Sequence, residues 1–261
     1  MYLLYFLVSL IASAVGGICG VGGGVIIKPV LDATGTMSVT NVSFLSGCTV
    51  LSMSIISVIR NRENKGTIEI KTSTPLAVGG IIGGILGKLI FDSFRIILQN
   101  ENHLGAVQAI LLIIITVGTL VYSLNSNKIK TRHIESILIC GIIGIFLGMI
   151  SSFLGIGGGP INLTVLFFFF SMDTKKAAAN SLYIIMFSQL ASLFQTFIKG
   201  NIPQVSLIVL ILMVMAGVAG GIIGGTINKR ISNKIVDKLF IGLMIIIICI
   251  NIFNIVKFII L

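Results

Sequence analysis

Two long apolar stretches of this chain are interrupted by the same five-residue pattern, Gly20-Val21-Gly22-Gly23-Gly24 and Gly155-Ile156-Gly157-Gly158-Gly159. So many glycines disfavour a continuous helix, because glycine has the most backbone freedom to lose. In hydrocarbon, however, every backbone N–H and C=O must find a partner, so a break survives only where it is buried in protein or faces a polar cavity. Its recurrence at matching places in two apolar halves marks an internally duplicated membrane protein with a discontinuous helix in each half. That is the usual sequence pointer to a transporter's binding site.

Composition agrees. The chain is 56% hydrophobic and only 10% charged, with a mean hydropathy of +1.12, more apolar surface than a soluble domain could hide. The net charge of +10 does not mean nucleic acid here, because the Lys and Arg residues sit between apolar runs and no aromatic-interleaved basic segment accompanies them. Cys19, Cys48, Cys140 and Cys249 lie far apart in apolar sequence without metal-ligand spacing, so neither a metal nor a cofactor is expected. Ala12-Ser13-Ala14 resembles a signal-peptide cleavage site, but the basic leader region is missing and the start of the chain reads as a retained first helix.

Apolar segments fall at roughly 1–19, 24–34, 38–60, 72–92, 104–124, 135–154, 159–171, 174–198, 203–227 and 235–259. Segments 24–34 and 159–171 are short: at 1.5 Å per residue, eleven residues cover about half of a ~30 Å hydrocarbon core. If each short segment returns the chain to the side it came from, and the N-terminus is outside, thirteen of the Lys and Arg residues fall in the inner loops. These are Arg60, Arg62, Lys65, Lys71, Lys128, Lys130, Arg132, Lys175, Lys176, Lys229, Arg230, Lys234 and Lys238. Four remain outside (Lys88, Arg95, Lys199, Lys257), and Lys28 lies within a segment. If the short segments merely continue the previous crossing, the two sides hold 9 and 8 and the bias disappears. The positive-inside rule therefore favours five segments per half. Five is odd, so the second half enters the membrane inverted.

The expected fold is thus all-α and polytopic, with two inverted-topology repeats of about five helical segments each and a broken short helix after each glycine turn. Residues 1–127 and 135–261 form the repeats, and 128–134 form a cytoplasmic linker. Eight simple spans in two parallel repeats is the alternative. The halves align at an offset of 135 at the glycine turns and 141 at Gly79-Gly80-Ile81-Ile82-Gly83-Gly84, which recurs as Gly220–Gly225. These GGIIGG glycines read first as helix-packing positions and second as pathway lining.

Candidate ligands follow from the breaks. Backbone N–H groups at Gly22, Gly23, Gly24, Gly157, Gly158 and Gly159, at the start of a helix, suit an anion. Nearby polar side chains add Asn41, Ser46, Asn162, Asn180, Ser181 and Gln189, each of which could instead bond between helices. Ser46 and Ser181 correspond at the offset of 135. Lys28 could complete an anion site, pair with Asp32 at i,i+4, or snorkel. Pro29 and Pro160 read as structural, near the starts of the short helices. All eight Asp and Glu residues and both His residues fall in or beside expected loops. That leaves no apparent proton relay, cation site or catalytic cluster, and an enzyme is not expected. The expected partners are a small anionic substrate and the lipid bilayer, with no nucleic acid; the oligomeric state is open.

With its GVGGG turn running into a short helix bearing Pro29, its second-half GIGGG, and Ala177-Ala178-Ala179-Asn180-Ser181, the chain resembles the sulfite exporter TauE/SafE family, also called the 4-toluene sulfonate uptake permease family. The likeness spans essentially the whole sequence, although the first-half counterpart of the Ala-Asn-Ser stretch, Ser43-Phe44-Leu45-Ser46, matches loosely. The resemblance implies movement of sulfur-containing anions, such as sulfite or organosulfonates, across the cytoplasmic membrane. Another small anion, or a non-transporting membrane scaffold, is the alternative. Export or facilitated diffusion is the expected direction, with both termini outside.

Overall fold

The structure is a computed structural model and describes residues 1–62 and 67–260; Lys65, assigned above to an inner loop, and Glu63, one of the eight acidic residues expected in or beside loops, lie outside the described residues. The first half holds α1 (Tyr2–Cys19), α2 (Gly24–Thr34), α3 (Val39–Arg62), α4 (Ile70–Leu98) and α5 (Glu101–Asn125). The second holds α6 (Ile137–Leu154), α7 (Pro160–Phe170), α8 (Thr174–Ile198), α9 (Leu207–Arg230) and α10 (Asn233–Ile260). The ordered elements among the described residues are all helices, and seven of them (α1, α3, α5, α6, α8, α9 and α10) are long and apolar enough to cross a membrane. Large apolar side chains such as Leu138, Phe146, Ile208, Met215, Ile246 and Phe253 point outward on α6, α9 and α10. An apolar surface of this extent suits lipid and not water.

Packing is reciprocal between the halves. α4 lies along α6 as α1 lies along α9; α4 meets α8 as α9 meets α3; α3 meets α8, and α5 meets α10. Exchanging the two halves maps each of these contacts onto another or onto itself. α1 is thus an integral part of the bundle.

The short helices fold back. The Tyr5 hydroxyl, near the start of α1, donates to Thr36 Oγ1 just past the end of α2 (2.9 Å). In the second half, the backbone N–H groups of Arg132 and Ile134, just before α6, donate to the carbonyls of Phe168 and Phe169 at the end of α7 (2.7 and 3.0 Å). Each pair therefore forms a hairpin that leaves from and returns to one end of the molecule. The α2 end adjoins the start of α3, whereas the α7 end adjoins the start of α8, which lies beside the far end of α3.

Three boundaries differ from the sequence reading. Pro29 lies in the middle of α2 rather than at its start, so the carbonyl four residues earlier loses its usual donor. α4 continues to Leu98, past the expected end at 92, so Arg95 is a helical rather than a loop residue and Asp92 is not at a helix end. Lys88 pairs with Asp92 at 2.9 Å on its own helix, which lets the helix extend past the apolar run. Asp32 is a buried helical residue rather than a loop carboxylate.

The GGIIGG motifs act at helix crossings. A Cβ on Gly79, Gly83 or Gly87 of α4 would overlap the carbonyl oxygens of Gly141, Ile145 or Met149 on α6. On α9, a Cβ on Gly220 or Gly224 would overlap the backbone of Leu10 or Ala14 on α1. Positions four apart form one stripe per helix, and the absence of side chains lets the backbones touch over successive turns, where dispersion is the main attraction available in lipid. Gly83→Val is expected to lower the detergent-solubilised unfolding midpoint sharply, by about 1–3 kcal/mol of overpacking. Gly118→Ala, whose Cβ would meet nothing within 4 Å, should leave the midpoint unchanged or raised; equal behaviour of the two variants would contradict this packing.

Candidate functional site

The two glycine turns lie against each other in the middle of the molecule. α1 and α6 end at Gly20 and Gly155 in the left-handed conformation (φ 79° and 65°), where any other residue would be strained. A Cβ on Gly20 would strike Ala178 of α8, and one on Gly155 would strike Ser43 of α3; Ser43 and Ala178 are themselves related by the offset of 135. A Cβ on Gly22 would sit 3.2 Å from the carbonyl oxygen of Gly157, and one on Gly158 would sit 3.2 Å from that of Val21. Val21, Val25, Val50, Ile156 and Ile185 close around this contact, all buried.

Broken helices leave carbonyls without intrahelical donors, and side chains supply them in matching fashion. Asn228 Nδ2 donates to Ile18 O at the end of α1, and Gln108 Nε2 donates to Phe153 O at the end of α6, each at 2.5 Å. Ile18 and Phe153 are equivalent at the offset of 135. At the end of α2, Lys257 Nζ donates to the carbonyls of Asp32 and Ala33 (3.1 and 3.0 Å). Asn254 Nδ2 donates to Pro29 O at 2.9 Å.

The structure brings part of the candidate set together. Gly22, Gly23, Gly24, Gly157, Gly158 and Gly159 are all buried at the contact. Ser46 Oγ lies 2.8 Å from where a Cβ on Gly24 would stand, and the side-chain amide of Gln189 lies 3.2 Å from the equivalent position on Gly157. Ser46 Oγ, Gln189 Nε2, Ser181 Oγ and Asn162 Oδ1 are buried without a hydrogen-bond partner. Sequence reasoning missed Ser13, which is buried, unpartnered and against Gly23; a lone serine in an apolar helix gives no signal.

Other candidates are engaged elsewhere. Asn180 uses its whole amide to tie the start of α4 to α8: its Oδ1 accepts from Glu69 N and Ser73 Oγ, and its Nδ2 donates to Thr67 O and Lys176 O. Asn41 Nδ2 donates to Gln204 O in an exposed loop contact. Lys28 donates to Asp32 Oδ2 at 2.7 Å, with both side chains buried.

Two cavities flank the glycine contact, and they are equivalent by the repeat. The larger, about 610 Å³, is lined by Gly17, Ser57, Asn61, Lys175, Ala178, Ala179, Leu182 and Lys229, with Arg60 beside them. The smaller, about 30 Å³, is lined by Ser152, Ser192, Thr196, Thr40, Ser43, Phe44, Gly47 and Lys88. The first seven residues of each set correspond at the offset of 135, and Lys88 and Lys229 correspond at 141. The same wall therefore bounds a wide cavity on one side and a narrow one on the other. Gly84 and Gly225 also correspond: a Cβ on Gly84 would meet the Ser188 carbonyl, whereas one on Gly225, which lines the larger cavity, would meet nothing within 4 Å.

A family model described as sulfite exporter TauE/SafE matches residues 5–250. The probable membrane transporter protein YunE of Bacillus subtilis is 22% identical over 224 residues, covering 77% of this chain and 80% of that protein. The probable membrane transporter protein MJ0441 of Methanocaldococcus jannaschii is 28% identical over 210 residues, covering 76% and 73%. No solved structure matches significantly.

The geometry of Lys28 makes a direct prediction. Removing one member of a buried ion pair leaves an uncompensated charge and costs about 3–5 kcal/mol, whereas replacing both with apolar residues is often neutral. Asp32→Ala alone should destabilise the purified protein by about that much, and Lys28→Met combined with Asp32→Leu should restore most of the loss in thermal unfolding. A ligand role for Lys28 would instead leave the double variant stable but unable to bind substrate.

Proposed function

The chain belongs to the sulfite exporter TauE/SafE family of membrane transporters, and from that premise we propose that it carries small sulfur-containing anions, such as sulfite or organosulfonates, by alternating access. The observation that carries the reading is the pair of equivalent cavities, about 610 and 30 Å³, on either side of the contacting glycine turns. A carrier built from two related repeats can exchange which side is open by exchanging the conformations of the repeats. The opposed hairpins α1–α2 and α6–α7 support an inverted relation between residues 1–127 and 135–261, with 128–134 as the linker.

In this reading the buried glycine turns are the barrier between the vestibules and the midplane site, with N–H groups available to an anion as the turns part. Gly22–Gly24 and Gly157–Gly159 supply backbone donors, and Ser46, Ser181, Gln189 and Asn162 supply side chains lacking other partners. The Lys/Arg-rich face is cytoplasmic and both termini are outside, in accord with the positive-inside rule. An interior-negative potential of ~100 mV favours exit of each negative charge by about 2.3 kcal/mol, so export or facilitated diffusion proceeds without a coupling ion. A non-transporting scaffold would account for the packing glycines but has no use for two equivalent cavities of unequal size.

In proteoliposomes, the wild-type protein is expected to carry sulfite or a small sulfonate and not amino acids or alkali cations. A ligand at 100 times its Kd should also stabilise the protein against unfolding by about 2.7 kcal/mol. Gly23→Leu or Gly158→Leu should abolish flux. Full flux in both folded variants would remove the glycine turns from the pathway, and flux of cations alone would overturn the anion reading.

A further inference from the structure

We propose that the floor of the larger cavity is an anion subsite in its own right, with the Ser57 hydroxyl as its donor and Arg60, Lys175 and Lys229 as its field. The inference deepens the transport reading above and rests on it for the ligand class, a small sulfur oxyanion.

Ser57 lies one turn before Arg60 on α3. It is 4% exposed, lines the cavity, and its Oγ has no hydrogen-bond partner. Leaving a buried hydroxyl unpaired is costly, and this one belongs to a residue that lines a cavity with ample volume for a small oxyanion. Arg60 is held rigidly: its guanidinium donates to Ile222 O (2.6 Å) and Thr226 Oγ1 (3.0 Å) on α9. Five N–H donors on that group leave others free, and no carboxylate pairs with it among the described residues. Lys175 and Lys229 also lack an ion pair there. Lys176, which lines the cavity too, is paired with Glu69 at 3.5 Å. The single carboxylate of the lining, Asp173, accepts from Lys176 N at the start of α8. The field in the cavity is therefore positive, and an anion supplies both the missing charge and the missing acceptor.

The smaller cavity carries the same hydroxyl without the same field. Ser192 is the counterpart of Ser57, but Thr40 stands for Lys175 and Gln195 for Arg60. Its lysine, Lys88, is paired with Asp92 at 2.9 Å, a carboxylate that Lys199 also approaches at 3.7 Å. Equivalent lining positions with unequal charge give the two sides unequal affinity: the carrier binds its anion more tightly from the Lys/Arg-rich side and releases it more readily on the other.

The test is cysteine labelling of Ser57→Cys, an isosteric change, against the labelling of the parent chain. The probes are a membrane-impermeant anionic methanethiosulfonate bearing a sulfonate and its trimethylammonium counterpart, with both rates normalised to a free thiol in solution. The expected result is faster modification by the anionic reagent from the Lys/Arg-rich side. Lys175→Gln with Lys229→Gln should reduce that preference about tenfold, Lys130→Gln should not, and sulfate or ethanesulfonate should slow the reaction. Ser57→Ala should raise the half-saturating concentration for flux from that side about tenfold, the loss of one hydrogen bond to a charged group, with little change from the other. No labelling, no anionic preference, or no protection by either anion would overturn the subsite. Loss of the transport reading is separable, because it would appear as absence of anion flux in the wild-type protein whatever the labelling shows.

Discussion

An interrupted helix in hydrocarbon must obtain hydrogen-bond partners from outside itself, and the architecture of this protein is largely the answer to that demand. The carbonyls of Ile18 and Phe153, at the last turns before the two glycine breaks, receive amide donors from α9 and α5. The end of α2 is capped by Lys257 of α10. The end of α7 is capped by the backbone of the segment between the halves. Every donor comes from a distant part of the chain. The breaks can therefore exist only inside the assembled bundle, which fixes the order of dependence: helix packing first, broken helices second, and any binding at the breaks last.

Packing itself depends on the second set of glycines. The carbonyls of α6 lie where side chains of α4 would be, and those of α1 lie where side chains of α9 would be. Without a hydrophobic driving force between helices in lipid, this close approach is a main source of attraction. It also joins an element of the first half to one of the second on each side. The units that pack most intimately are therefore α4 with α6 and α1 with α9, not the sequence halves. In the proposed carrier, exchanging which cavity is wide would slide these pairs past α3 and α8. Gly225 facing open space while Gly84 faces Ser188 shows where such sliding has room.

Much of this was legible in the sequence because it is carried by backbone requirements. Glycine runs, apolar run lengths and GGIIGG foretold the ten helices, the two short ones and the tight crossings. What was not legible depends on partners brought in from far along the chain. Asn180 looked like a ligand beside a break, yet its amide is consumed by the loop before α4. Lys28 could be read three ways until Asp32 was seen to be buried with it at 2.7 Å. Asp92 looked like a loop carboxylate because the apolar run ended there, but pairing with Lys88 carries the helix onward. Arg60, Lys175 and Lys229 were visible only as orientation signals, because sequence shows which side a cation is on and not whether it faces a cavity. Ser57 carried a usable clue, a serine at both positions of the repeat, which is weak until both are seen to line equivalent walls.

The repeat also separates what is shared from what is particular to each side. Positions that keep their residue across the halves, such as the four glycines of each turn and the GGIIGG glycines, are mostly those where the backbone leaves little room for a side chain. Positions that change type, such as Thr40 against Lys175, Ser43 against Ala178 and Arg60 against Gln195, surround the cavities. The repeated backbone positions are thus shared between the halves while charge is not. A cation lining one vestibule raises the local concentration of anions there through its field, and under the proposed transport cycle neutral hydroxyls in the other would let the same anion depart. The two demands on a carrier, to capture and to release, would under that proposal be met by placing different side chains on one repeated backbone.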